Sequence, residues 1–169
     1  MNLTELLAAE LEREAGRSRR ALQEMPEDKK DFKPHEKSMA FGYLSELVAT
    51  MPSWIALGIN RDELDLNPPG GSQIKRPTLN TRADYLAAHE NAVEEAKSAL
   101  KSATEDHLMK PWRLLVAGKV VSETPRHEML RDAINHLAHH RGQMTVYLRL
   151  LGAKVPAIYG PSADDRSFG

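Results

Sequence analysis

A chain of 169 residues with 23 Lys and Arg against 24 Asp and Glu has no net field to gather nucleic-acid phosphates or anionic lipid headgroups. It contains no cysteine, which removes disulfides, thiolate nucleophiles and Cys-ligated zinc and leaves histidine and carboxylate as metal ligands. The N-terminal MNLTELLAAELEREAG is too charged for a signal peptide, and no run approaches the ~18 apolar residues of a membrane span. The expectation is one soluble, unprocessed cytoplasmic domain over residues 1–169, with neither nucleic acid nor membrane as partner.

In residues 2–25, Leu3, Leu7, Leu11, Ala15 and Leu22 recur at the spacing of one helix face until Pro26 ends the run. The charged connection PEDKKDFKPHEK leads to Ser38, the expected N-cap of a second helix. Its apolar stripe is Phe41, Leu44, Leu47, Val48 and Met51, and Pro52 must kink or end it near Trp54. Residues 58–80 hold Pro68, Pro69, Gly70, Gly71 and Pro77, a composition that predicts a long loop draped over a site.

Thr81 with Asp84 resembles a capping box and opens a third helix through Tyr85, His89, Ala92, Ala96 and Leu100. Residues 112–121 are rich in β-formers around Ala117-Gly118, so a short hairpin or extended excursion is expected there. Thr124-Pro125 reads as an N-cap followed by proline at the first helical position, and Gly152 as a C-terminal cap. The fourth helix between them would be roughly 40 Å long. Leu130, Ala133, Leu137, His140, Met144, Tyr147 and Leu151 form its seam. The predicted fold is all-α, a four-helix bundle with long connecting loops.

Three of the seven histidines fall in Asn135-His136-Leu137-Ala138-His139-His140-Arg141-Gly142-Gln143. His136 and His140 are i and i+4, so both rings share one face, turned toward the core, and can converge on one cation while His139 points elsewhere. Two readings stand side by side: a polar or metal site, and hydrogen-bonded core histidines. Arg141 and Gln143 read as packing or capping groups, or as groups that orient a ligand or substrate. Tyr147 reads as an interior tyrosine with one satisfied hydroxyl, or as a proton donor, and Trp112 and Tyr159 as loop anchors. No Gly-rich phosphate loop, serine nucleophile elbow or HExxH motif is present.

The stretches NHLAHHRGQMTVYLRLLGAKVPAIYGPSADD (residues 135–165) and KPHEKSMAFGYLSELVATMPSW (residues 33–54) resemble the DinB family, or DinB/YfiT-like metalloenzymes. The resemblance implies a four-helix bundle, frequently a homodimer, in which three histidines hold a divalent metal such as zinc or nickel. One lies on the second helix and an HxxxH pair on the fourth. His136 and His140 match the pair, whereas Leu47 falls where the second-helix histidine belongs, leaving two-thirds of the family site. His89, on the apolar face of the third helix, is a candidate substitute ligand, and His35 belongs to the PHEKSM pattern rather than to the metal.

The implied activity is that of a metal-dependent hydrolase or a thiol-dependent transferase, with a small-molecule substrate or thiol cosubstrate as partner. The alternatives are a non-catalytic small-molecule-binding or stress-response bundle that has lost its metal, and a structural dimer whose histidines only satisfy a polar core.

Overall fold

The computed structural model describes residues 1–71, 74 and 76–167. Among these, six α-helices and three short strands follow one another, so the fold is mostly helical but carries a small sheet beyond the expected four helices. Of the expected 58–80 loop, residues 72, 73 and 75 lie outside the described residues.

Helix α1 (Leu3–Gln23) opens on Asn2, whose side chain accepts from the Glu5 amide while the Glu5 carboxylate accepts from the Asn2 amide. It buries Leu7, Leu11, Ala15 and Leu22 of the predicted face, with Ala21 beside them, while Leu3 is only partly buried. Helix α2 (Phe41–Thr50) begins later than expected, because Ser38 is spent in a turn on the His35 carbonyl. The amides of Phe41 and Gly42 donate instead to the carbonyls of Phe32 and Lys30, at 2.9 and 2.8 Å, so the preceding loop caps the helix with backbone. Pro52 then divides α2 from α3 (Ser53–Asn60), since it supplies no amide to continue the ladder.

Helix α4 (Arg82–Ser102) carries the predicted capping box at Thr81 and Asp84. A five-residue helix, α5 (Glu105–Met109), follows it, capped by Thr104. Helix α6 (Arg126–Leu150) spans 25 residues and ends at Gly152, where φ is +70° and the Ala153 amide reaches back to Leu148. Its start differs from expectation: Thr124 stays in a strand and Pro125 is the flanking residue, so no side chain caps the helix.

The strands are β1 (Glu63–Asp65), β2 (Pro111–Val116) and β3 (Lys119–Pro125), with β2 central, parallel to β1 and antiparallel to β3. The hairpin expected at residues 112–121 is present, turning through Ala117 and Gly118 at φ of +51° and +77°. Asp65 at the end of β1 accepts from both turn amides, at 3.0 and 2.6 Å, which ties the β1 edge to the turn. That strand lies in the stretch expected to be loop.

Helices α1, α4 and α6 and the broken pair α2–α3 pack on one another. One cluster gathers Leu22, Phe41, Leu44, Leu137, Met144 and Leu148; the other gathers Leu11, Ile55, Leu100, Leu108 and Leu130. Trp54 packs against both. None of the described helices is long and apolar enough to cross a membrane.

Two buried arginines tie the elements together. Arg126, fully buried at the start of α6, donates to the carbonyls of Gly58 (2.6 Å) and Arg61 (3.2 Å) and to the Asp62 carboxylate (2.6 Å). Arg141 joins α6 to α1 through Glu14, at 2.6 Å, and to the C-terminal segment through the Tyr159 hydroxyl. Tyr159 itself donates to Glu14 at 2.8 Å, so it anchors the tail as its sequence context suggested.

Removing a buried guanidinium strands the acceptors around it. Arg126→Ala is therefore expected to cost about 3 kcal/mol in urea unfolding. Asp62→Ala, which deletes the solvent-exposed partner, costs a small fraction of that.

Candidate functional site

Helix α6 carries a polar row at i, i+4 and i+8: Asp132, His136 and His140. The His136 and His140 rings stand 4.6 Å apart between centroids and are inclined by 33°. The sequence expectation that both turn toward the core is half met. His140 is buried, whereas His136 is exposed at the mouth of a cleft. The exposed His139 ring lies 6.4 Å from His136, its i+3 neighbour, and 5.2 Å from the adjacent His140, and it does not line the cleft.

His140 Nδ1 lies 2.8 Å from Gln143 Oε1. With the amide oxygen as acceptor, Nδ1 carries the proton and donates, which leaves Nε2 with a free lone pair. Gln143 is thus the orienting group for His140. His136 has the Trp54 indole edge-on at 5.7 Å. Partial burial there, then the neighbouring His140 and His139, push its pKa below 6.5, against the opposing pull of Asp132. At neutral pH His136 is an uncharged imidazole, the form that can accept a proton or a metal.

The cleft beside His136 has a volume of about 350 Å3 and lies between α3, the sheet and α6. Trp54, Leu57, Trp112, Leu114 and Met129 form its apolar wall, and Asp132, Ser122 and Thr124 add polar groups. Asp132 was not singled out from sequence and Trp112 was read there only as a loop anchor, although Asp132 sits four residues before His136, a spacing that signals a shared face.

The other predicted positions lie elsewhere. Leu47 is half-buried on α2, packed against the cluster that holds Leu137 and Met144, and faces a second cleft between α2 and α4. His89 is buried, with Nε2 3.0 Å from the Ala15 carbonyl and Nδ1 3.3 Å from the Ala49 carbonyl. A neutral ring carries one N–H, so one nitrogen donates to one of these carbonyls while the ring bridges α1 and α2, and neither nitrogen is directed to the His136–His140 pair. Arg141 is a packing residue, as described above. Tyr147 stacks on Phe41 and donates to the Met39 carbonyl at 3.1 Å, which spends its hydroxyl on the core. Among the described residues, no group of three or more His, Asp or Glu side chains is arranged to hold a metal ion.

The mostly helical fold is shared with known proteins. The DinB family model matches residues 1–167, and the chain belongs to the DinB family. It is similar to the uncharacterized protein YrdA of Bacillus subtilis strain 168, at 36% identity over 86 residues, which is 50% of this chain and 49% of that one. The match thus spans about half the length of that relative. In structure it is similar to the DinB-like protein YjoA of Bacillus subtilis, with a TM-score of 0.68 at 19% identity over 95% of this chain and 99% of the other. A DinB-like protein of Bacillus cereus ATCC 10987 gives a TM-score of 0.65 at 20% identity, over 86% of this chain and 91% of that one. At these identities the two structures establish the DinB-like fold alone.

The buried His89 gives a testable pH dependence. Burial holds its pKa below 6.5, so the unfolded chain takes up a proton that the folded chain refuses. The stability His89 contributes is present above pH 6.5 and is lost as pH falls below it. Unfolding free energy is expected to drop between pH 7.5 and pH 5.5, and His89→Gln, whose amide can still donate to a carbonyl, should flatten that slope. An unchanged slope would assign the loss to other groups.

Proposed function

We propose that this chain is a small-molecule enzyme of the DinB type whose reaction centre is the His136–His140 pair. In this reading it is a divalent-metal-dependent hydrolase or a thiol-dependent transferase, and the two imidazoles hold zinc or nickel. The observation that carries it is the pairing of the His136 and His140 rings, 4.6 Å apart, where His136 opens on the cleft and Gln143 Oε1 lies 2.8 Å from His140 Nδ1. Two imidazoles on adjacent turns fit one half of a tetrahedral divalent site. The remaining positions would fall to solvent, substrate or a thiol cosubstrate, and Leu47, where the family resemblance puts a histidine, offers no lone pair.

A bound divalent ion would supply charge that makes a water molecule or a thiol more acidic. The side chains divide the other tasks. Gln143 orients His140, Trp54 restricts the swing of His136, and the apolar wall of the cleft excludes water from a bound substrate. The same resemblance supports a homodimer in the cytoplasm as the working form.

Calorimetric titration of the protein with zinc or nickel tests the proposal. One ion per chain is expected, with affinity falling tenfold or more in His136→Ala, His140→Ala and Gln143→Leu. Leu47→His, by restoring a third imidazole, should tighten binding by at least about tenfold. Binding that is absent, or unchanged in both alanine variants, would favour the non-catalytic binding module instead.

A further inference from the structure

The cleft beside His136 is selective in its charge as well as its size. Its volume of about 350 Å3 lies near the lower end of small-molecule sites, which suits a single ring with a short substituent. Among the described residues that line it, Asp132 is the one charged side chain, and no Lys or Arg faces the space. Asp132 makes no hydrogen bond or ion pair with any described residue, so its carboxylate is free to meet a ligand. The two indoles, Trp54 and Trp112, add electron-rich ring surface that attracts cations and repels anions. The Ser122 and Thr124 hydroxyls supply acceptors on the sheet side.

We propose that this cleft binds a ring-sized apolar molecule carrying a protonated amine, with the ring between Trp54, Trp112 and Leu114 and the ammonium group against Asp132. The proposal deepens the reading of the cleft as the substrate site of the His136 centre and names the class of substrate it admits. A carboxylate-bearing molecule of the same size meets a like charge and no compensating base. Discrimination therefore arises at the mouth, on α6, while the apolar wall sets the size limit.

The chain has two tryptophans and both line this cleft, so intrinsic fluorescence reports on it directly. The full-length protein is titrated at neutral pH, in the presence of a chelator, with benzylamine, benzyl alcohol and benzoate, which share one ring and differ in charge. Benzylamine is expected to bind most tightly, exceeding benzoate by roughly tenfold. Asp132→Asn should bring benzylamine to within about twofold of benzyl alcohol, because the charge preference rests on that carboxylate. Ser122→Phe, an exposed strand position paired with Leu114, should fill the cleft and abolish the response to all three without changing the far-ultraviolet dichroism.

Benzoate binding as tightly as benzylamine, an order of affinities unchanged in Asp132→Asn, or no fluorescence response to any of the three would each overturn the proposal. Since the readout needs no metal, failure of metal binding at His136 and His140 would leave the ligand class standing. Conversely, a tight metal site with no amine preference would refute the ligand class alone.

Discussion

The guanidinium of Arg126 is where the helical body and the small sheet are joined. Its nitrogens reach the carbonyls that end α3, the carboxylate of Asp62 before β1, and, at 3.4 Å, the carbonyl of His107 in α5. A cation with no exposed surface is tolerated only when its donors are satisfied, and here the acceptors come from α3, from the α3–β1 connection and from α5. The Arg126 amide also donates to the Lys110 carbonyl, so the first residue of α6 fixes the start of β2 as well. With these segments pinned, the sheet is held over the flank of α6 and leaves the cleft that His136 overlooks.

From that start α6 serves two purposes along its length. Leu130, Leu137, Met144 and Leu148 face the two apolar clusters, while Asp132, His136 and His140 run as a row along the border between core and cleft. The border explains why the two histidines differ. His140 lies one turn further along, under cover and tethered by Gln143, and His136 emerges beside Trp54. One ring is held and the other is accessible, an arrangement suited to a ligand that enters from the cleft. Leu47 packs against the apolar cluster that includes Leu137 and faces the separate cleft between α2 and α4.

Periodicity and capping chemistry made the long helices legible: the faces of α1, α2, α4 and α6, the Thr81–Asp84 box and the Gly152 stop depend on residues close in sequence. What escaped depends on distant partners. Ser38 has the chemistry of a cap, but the carbonyls of Lys30 and Phe32 already satisfy the first amides of α2. Three residues of β1 are too few for their alternation to signal a strand, and they become one only beside β2. The burial of Arg126 follows from α3, the α3–β1 connection and α5 converging on it, none of them near it in sequence. The HxxxH pair was visible, but the exposure of His136 was not, because it is set by the sheet that covers the neighbouring turn.

What decides the function is whether His136 and His140 share one ion beside the cleft. Crystals grown with nickel and measured at its absorption edge would test that directly. The predicted result is one anomalous peak within bonding distance of both imidazoles, with His140 reaching it through Nε2 while Nδ1 remains on Gln143. A peak at His35, His107 or another surface histidine with none between His136 and His140 would contradict it.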